Sequence, residues 1–485
     1  MPSRPRPPFA ALAILAALFV ALPSARAGHV ASDDSDTDDS AWDRDQRKEI
    51  REAVRGWTWA VMPPVDFDDH YQHSGRVDDS PNRRLVRVTA LAATASGDAI
   101  VGGAVRGPLR LGGTSIGMTL RQRGFIARVD RGGRFRMIHL AERETYMVPS
   151  ALAVDRAGRI VVSYEDASLE VLTADGRHVW SRNLPPARAL AFATNGDILA
   201  AGCRITKRLH SSRYSKQIWH YEAIEDGYFA RISAWGEFRW TDRLDRGQQQ
   251  LFYRPNDRDV TDCATGIVAG PGGDAYVAGD FTQSWSGHTG DEEPSLPVTG
   301  IFLARVSDDG RIAWSRLVAS GTGRVDLATT RDGSLVVVAG QVAELDTPGR
   351  SLTQGLAAFD ADGVPVWSLP IMRRPGSPVI DPAIAHVRVA AHRAGNADFV
   401  CIGSYGAPIA ARASTLAEAD GGVFLAEVDR RGSVTGLRGV PGRTRPKGAG
   451  GFVTNIALGP GPAALWIGGT MTSETHGGWV QAVPW

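Results

Sequence analysis

Apolar residues recur along this chain in short alternating runs, and a glycine-containing turn separates many neighbouring runs. Seven times an apolar run meets such a turn and a second run follows, as in ALAATASGDAIVGG from Ala90 and ALAFATNGDILAAG from Ala189. Alternation with a period of two predicts β-strands with one buried face, and Asn, Asp and Gly between them predict tight hairpins. The turn glycines are Gly97, Gly158, Gly196, Gly273, Gly333, Gly395 and Gly461.

A third run follows each pair after a connection of variable length, as in GFIARVD from Gly124 and GIFLARVS from Gly300. A second polar turn then leads into a fourth run. In four units this run carries a Trp four residues after its turn glycine. An aromatic ring at this position is expected to pack the outer strands of one unit against the neighbouring sheet. These residues are Trp180, Trp240, Trp314 and Trp367.

Four antiparallel strands per unit, repeated seven times at uneven spacing, predict an all-β fold, a seven-bladed β-propeller of four-stranded antiparallel blades. The last unit stops at Trp485 after only three strands. The segment GWTWAV, Gly56 to Val61, precedes the first unit and can supply the missing outer strand. The propeller is therefore predicted to span residues 56–485 and to be closed by an N-terminal strand, which leaves no exposed sheet edge.

The stretch from Gly273 to Val318, which contains GDAYVAGDF and GIFLARVSDDGRIAWSRLV, resembles the seven-bladed β-propeller repeat of bacterial secreted and surface proteins. The resemblance covers residues 56–485 and implies the propeller fold without implying one activity. The DG…W turns also faintly resemble pyrroloquinoline-quinone-type propeller repeats. None of the DG…W turns carries an Asp-x-x-Thr-Gly directly before its Trp, as those repeats do, which argues against a quinone cofactor.

The first 27 residues predict a secretory signal peptide, which is separate from the fold. Arg4 and Arg6 precede an apolar stretch from Phe9 to Leu22, and Ala25-Arg26-Ala27 offers a cleavage site before Gly28. An acidic disordered linker, 28–42, and a short charged helix, 43–55, are predicted to follow. No other stretch approaches membrane-spanning length, so the mature chain is expected to be exported to the periplasm, the cell surface or the medium without a transmembrane segment.

Charge is nearly balanced, with 54 Lys and Arg against 53 Asp and Glu. Without the three arginines of residues 1–27, the net charge is about −2. This balance indicates neither nucleic acid nor an anionic membrane as a partner. The expected partner is a protein or glycan surface ligand, and the sequence leaves the oligomeric state open.

The long connections are the candidate ligand-binding surface. In a propeller, the connections between second and third strands share a face with the links between blades, and function on rigid scaffolds gathers on such loops. Three long segments fall there: Cys203–Gly227, Asp245–Asp259 and Phe281–Pro297. Exposed aromatic and arginine side chains are good anchors for ligands, although loops that only pack over one another are the alternative. The candidate residues are Arg208, Tyr214, Trp219, His220, Tyr221, Tyr253, Arg254, Trp285 and His288.

One segment near the N-terminus collects possible metal ligands. Carboxylates and imidazoles at this spacing can hold calcium or a transition metal, and a solvated polar loop is the competing interpretation. Nothing completes a strict ligand motif, so no cofactor is predicted. The residues are Asp66, Asp68, His70 and His73.

The chain has three cysteines. Cys203 ends the second strand of one predicted blade and Cys263 begins the first strand of the next, so both lie toward the long-loop face. In an oxidising compartment these two thiols can form a disulfide at the base of the longest connection. Cys401 lies within the apolar run DFVCIGS and is expected to be a buried apolar residue.

The sequence favours binding over catalysis. It contains no Walker loop, zinc-metalloprotease motif or Cys-x-x-Cys pair, and no repeated set of polar residues is visible on the innermost strands. The prediction is an exported binding or scaffold protein that presents a loop-built ligand face. The alternative is an extracytoplasmic lyase, hydrolase or dehydrogenase with its site at the mouth of the central channel, because propellers host both functions.

Overall fold

The computed structural model describes residues 85–484 with gaps between strands, of which the longer are 117–122, 142–146, 212–218, 244–260, 284–297, 343–352, 374–383, 392–396, 417–421, 445–452 and 472–476. Within the described residues the regular elements are strands, apart from a 3-10 turn at Pro271–Gly273, and there is no α-helix. No described helix is therefore long and apolar enough to cross a membrane. The predicted signal peptide, linker and helix, residues 1–55, lie outside the described residues.

The first half of the chain forms three four-stranded antiparallel sheets. The first contains β1 (Leu85–Ala93), β2 (Ala99–Arg106), β5 (Arg123–Val129) and β6 (Phe135–Leu140), with a separate hairpin of β3 (Leu109–Leu111) and β4 (Thr114–Ile116). The second contains β7 (Pro149–Val154), β8 (Ile160–Tyr164), β9 (Ser168–Leu172) and β10 (His178–Asn183). The third contains β11 (Ala187–Phe192), β12 (Ile198–Ser211), β13 (Trp219–Ile232) and β14 (Phe238–Arg243).

The second half continues the same arrangement. The fourth sheet contains β15 (Thr261–Ala269), β16 (Ala275–Gln283), β17 (Val298–Val306) and β18 (Ile312–Ser320). The fifth contains β19 (Asp326–Thr329), β20 (Leu335–Val342), β21 (Thr353–Asp360) and β22 (Pro365–Arg373), to which the hairpin of β25 (Ile409–Ala411) and β26 (Ser414–Leu416) is added. The sixth contains β23 (Ile384–Ala391), β24 (Phe399–Tyr405), β27 (Gly422–Val428) and β28 (Val434–Thr444), and a last sheet contains β29 (Val453–Pro460), β30 (Ala464–Met471) and β31 (Gly477–Pro484).

The first strands of the sheets form a closed ring around an axis. Each contacts the first strand of the next sheet, in the order β1, β7, β11, β15, β19, β23, β29 and back to β1. All of them run in one direction, because each sheet repeats the same antiparallel meander. One side of the ring therefore carries the tight turns within each hairpin and is called the turn face here. The opposite side, the loop face, carries the connections between second and third strands and the links between sheets.

The prediction of a seven-bladed propeller is wrong, because the described chain forms six four-stranded blades. The remaining sheet, β29–β31, has three described strands and lies between β23 and β1. The turn glycines mark only the first two strands of a unit, so counting them cannot show whether an outer strand is present. The predicted closing strand, Gly56–Val61, lies outside the described residues and stays a prediction.

The predicted packing role of the fourth-strand tryptophans is confirmed. Each indole N–H donates to a backbone carbonyl in the outer turn of the next blade: Trp180 to Ala234 (3.0 Å), Trp240 to Asp308 (2.9 Å), Trp314 to Ala361 (3.0 Å) and Trp367 to Arg430 (2.9 Å). The ring lies on the turn glycine of that blade. At Gly310, which has φ +88°, a Cβ would come within 2.7 Å of Trp240 Cγ, so only glycine fits there.

A tryptophan on the second strand of the last sheet makes a related contact with the β1–β2 turn of the first blade. The Trp466 indole is 1% exposed and donates to the Gly97 carbonyl at 3.0 Å. It packs in the core of the first blade, beside Val101 and Phe125. Buried aromatic and aliphatic side chains thus hold neighbouring sheets together around the ring.

Arginine–aspartate pairs connect the blades on the turn face. Arg231, on β13, donates Nε to Asp197 Oδ2 at 2.9 Å and Nη1 to the Gly273 carbonyl of the next blade at 2.8 Å, and also pairs with Asp308 there. Arg305, at the equivalent position of β17, repeats the arrangement, with Nε 2.7 Å from Asp274 Oδ2 and Nη1 3.0 Å from the Ala361 carbonyl. These guanidiniums are satisfied by carboxylates and carbonyls at the turns.

Candidate functional site

The longest described insertion on the loop face is a β-ribbon. β12 and β13 pair over fourteen positions, from Ile198↔Ile232 to Ser211↔Trp219. The neighbouring strands stop much earlier, since β11 pairs with β12 only as far as Gly202 and β14 pairs with β13 only from Tyr228. The nine pairs beyond that level extend about 30 Å at the usual rise per strand residue. The segment predicted as an irregular loop is thus largely a regular hairpin.

The predicted ligand-binding residues fall into two groups. Four belong to the ribbon, where Arg208 is paired with Glu222, Leu209 with Tyr221, His210 with His220, and Ser211 with Trp219. The other five, Tyr214, Tyr253, Arg254, Trp285 and His288, lie outside the described residues. A ligand role for either group stays a prediction.

A disulfide lies at the base of the ribbon. Cys203 forms the first ribbon pair, with Gly227, and its Cα atom lies 4.9 Å from that of Cys263 on β15. The structure joins the two as a disulfide, which ties the ribbon of the third blade to the first strand of the fourth. Cys401 is a free, buried thiol on β24, and burial raises its pKa.

The predicted metal ligands Asp66, Asp68, His70 and His73 lie outside the described residues. Within the part of the chain that the structure describes, no group of His, Cys, Asp and Glu has an arrangement suited to a metal ion.

The axis of the ring holds a cavity of about 770 Å³. Its walls are small and apolar residues of the first strands, with the turns of these strands at the turn-face end. Charges at the turn-face end are mixed, because Arg156 and Arg331 lie there with Asp332 and Asp398. The volume is within the range of pockets that hold small molecules.

Arginines from separate sheets gather toward the loop-face end of this cavity. Arg188 is the second residue of β11, Arg324 directly precedes Val325 and β19, and Arg388 lies on β23; all three line the cavity. Arg87 lies near the start of β1, and its positive charge also lowers the pKa of Arg324. These four residues are called the arginine cluster here.

Mutual repulsion dominates the electrostatics of the cluster. The positive charge of Arg388 is the largest cause that lowers the pKa of Arg324, to about 9; burial, Arg188 and Arg87 add to the effect, and only Asp326 opposes it. The Arg324 side chain is accessible to water and lines the cavity. At neutral pH Arg324 therefore remains charged in the company of like charges.

Two carboxylates border the cluster. Asp326 accepts hydrogen bonds from the backbone N–H groups of Val389 (3.2 Å) and Leu327 (3.1 Å), so its oxygens brace the contact between β19 and β23. Glu165 follows β8 in a short connection on the loop face. Burial raises the pKa of Glu165, and the charges of Arg87 and Arg188 oppose that rise.

Sequence reasoning missed this cluster because its members occupy different positions of the repeat. Arg87, Arg188, Arg324 and Arg388 stand ten, eight, nine and seven residues before their turn glycines. Bulges in β1, β11 and β23 shift the registers, so unequal offsets reach a common region of the channel. Arginine within an otherwise small and apolar first strand was the one available signal.

The expectation of a β-propeller with four-stranded antiparallel blades is confirmed by this architecture. No protein-family model and no curated protein matches the chain. Among solved structures, it is similar to BamB from Moraxella catarrhalis, at 12% identity and a TM-score of 0.39, with 78% of this chain and 82% of that chain covered. It is also similar to the Pan2 WD40 domain of Neurospora crassa, at 12% identity and a TM-score of 0.39, with coverage of 82% and 90%. Hydrazine synthase of Kuenenia stuttgartiensis matches at 12% identity and a TM-score of 0.32, with coverage of 60% and 80%.

Proposed function

We propose that this protein is a binding protein of the cell exterior that holds its partner, a protein or glycan surface, on the loop face. The observation that carries the proposal is the one-sided elaboration of the ring. Among the described residues, the three hairpins inserted between second and third strands are β3–β4, the β12–β13 ribbon and β25–β26. The connections on the turn face are tight turns, such as Thr94–Gly97 between first and second strands and Ser307–Gly310 between third and fourth strands.

The ribbon is the strongest of these elaborations. A two-stranded ribbon is marginally stable by itself, and a propeller blade needs only a short connection at this point. Here the base of the ribbon is fixed by the Cys203–Cys263 disulfide. A long hairpin with a covalent brace presents a defined surface, and its second strand begins with the aromatic residues Trp219 and Tyr221. Aromatic residues are favoured anchors in binding interfaces.

Site-specific photocrosslinking in intact cells tests the proposal. A benzophenone amino acid placed at Tyr221 is expected to form discrete covalent adducts with one partner. The matched control position is Val366 on β22, an apolar residue that is 51% exposed on an outer strand. Adducts specific to position 221 support the loop face as the binding surface. Equal adducts from both positions, or adducts from position 366 alone, contradict it.

A further inference from the structure

We infer that the axial channel, at its loop-face end, binds a compact anion with at least two carboxylate or phosphate groups, held by Arg188, Arg324 and Arg388. This site differs from the ribbon in place and in chemistry. It concerns a small molecule inside the ring, whereas the proposed partner of the ribbon is a macromolecule on its rim.

The first step of the argument is convergence from separate sheets. Arg188, Arg324 and Arg388 come from the third, fifth and sixth sheets, and they line one cavity. Residues brought to one point from distant parts of a chain by a rigid ring are the arrangement that binding sites require. Random surface arginines would spread over the outer rim, as Arg177 and Arg311 do, with side chains 84% and 87% exposed.

The second step concerns charge. Asp326 already accepts two backbone hydrogen bonds, and Glu165 is bordered by Arg87 and Arg188 rather than by Arg324. Repulsion from Arg388 is the largest influence on Arg324, and the attraction of Asp326 does not offset it. A guanidinium does not relieve such repulsion by losing its proton at neutral pH. An anion bound beside Arg324 would relieve this repulsion.

The third step gives the class of ligand. Guanidinium groups present paired N–H donors that match the oxygen pairs of carboxylates and phosphates, and such charge-assisted bonds are short and strong. Several guanidiniums around one cavity favour a ligand with more than one anionic group over a monoanion. The cavity of about 770 Å³ limits the ligand to a small molecule. A tricarboxylate such as citrate and a diphosphate such as pyrophosphate represent the two forms of this chemistry.

Isothermal titration calorimetry of the whole mature protein tests the inference with citrate, pyrophosphate and acetate as probes. We expect saturable binding of citrate, pyrophosphate or both, weaker binding of acetate, and lower affinity at physiological than at low ionic strength. The stronger of the two polyanions identifies which oxyanion the site prefers. Absence of saturable binding by both polyanions overturns the inference.

Three charge-neutral variants and a matched control assign the binding to the cluster. Arg324→Gln, and separately Arg388→Gln and Arg188→Gln, are each expected to weaken the preferred polyanion about ten-fold through loss of a charge-assisted bond. Arg311→Gln removes the same charge from an exposed outer turn and should leave affinity unchanged. Variants are compared only where circular dichroism shows a native spectrum, and three positions allow for one that fails to fold. Equal weakening by Arg311→Gln and the cluster variants contradicts the site. The titrations do not depend on the crosslinking result at position 221, so either proposal can be contradicted while the other stands.

Discussion

On the turn face, Arg231 and Arg305 each donate to an aspartate of their own blade at 2.9 and 2.7 Å and to a carbonyl of the next blade. On the loop face, Arg188, Arg324 and Arg388 come from different sheets, and the dominant influence on Arg324 is another arginine. The residue type is the same on both faces. The electrostatic surroundings differ, because carboxylates and carbonyls accept hydrogen bonds from Arg231 and Arg305, whereas repulsion from Arg388 is the largest influence on Arg324.

This difference separates two roles for positive charge in one ring. The turn-face arginines join neighbouring blades, so their removal should weaken the fold. The arginine cluster concentrates like charge and so opposes folding, an arrangement typical of sites that trade stability for ligand binding. Overall composition hides the contrast, because the chain as a whole is close to neutral.

The largest effect is expected at Arg231, which is 3% exposed. Arg231→Gln removes the nearer guanidinium partner of buried Asp197 and leaves only Arg239 at 4.0 Å, and loss of one member of a buried pair costs about 3–5 kcal/mol of unfolding free energy. Urea denaturation monitored by Trp fluorescence measures this loss. Arg177→Gln is the control, because its ion pair with Asp175 is exposed to solvent and contributes little to stability. Similar small losses in both variants would remove the structural role assigned to the turn-face pairs.

A smaller effect is expected at the disulfide, the main covalent contact on the loop face. The Cys203→Ala/Cys263→Ala double variant should lose about 2–4 kcal/mol of unfolding free energy, because it frees a cross-link that spans 60 residues. Polyanion affinity should persist, since no member of the arginine cluster is changed. The denatured, non-reduced mature protein should show one reactive thiol, that of Cys401. Three thiols would contradict the disulfide, and loss of polyanion binding would show that stability and binding on this face are not separate.

Much of the fold could be predicted from local patterns. The alternating runs, the glycine turns and the Trp four residues after the outer turn are repeated local features, and the tryptophan contacts formed as expected at Trp180, Trp240, Trp314 and Trp367. The number of complete blades was wrong, because the last unit shares the first strands of the repeat without a described fourth strand. Local signals report hairpins, whereas the number of strands in a blade depends on pairing across long separations.

The candidate sites were less predictable for a related reason. The Cys203–Gly227 segment was expected to be a loop, since its polar and aromatic residues lack a clear apolar alternation, yet it pairs in register over its whole described length. The arginine cluster depends on ring closure, which brings β11, β19 and β23 around one axis from positions more than a hundred residues apart. No short motif marks such a site. The alternative of an enzyme at the channel mouth stays a prediction.

The comparison between the two faces is tested most directly by the unfolding free energies of Arg305→Gln and Arg324→Gln, measured side by side at low ionic strength without added polyanion. Both variants lose one positive charge and the same side-chain volume. Arg305→Gln should be less stable than the parent protein, because Asp274 loses its partner at 2.7 Å. Arg324→Gln should be more stable, because Arg388 and Arg188 lose a repulsive neighbour. Opposite signs support the account, and destabilisation of similar size in both variants would contradict it.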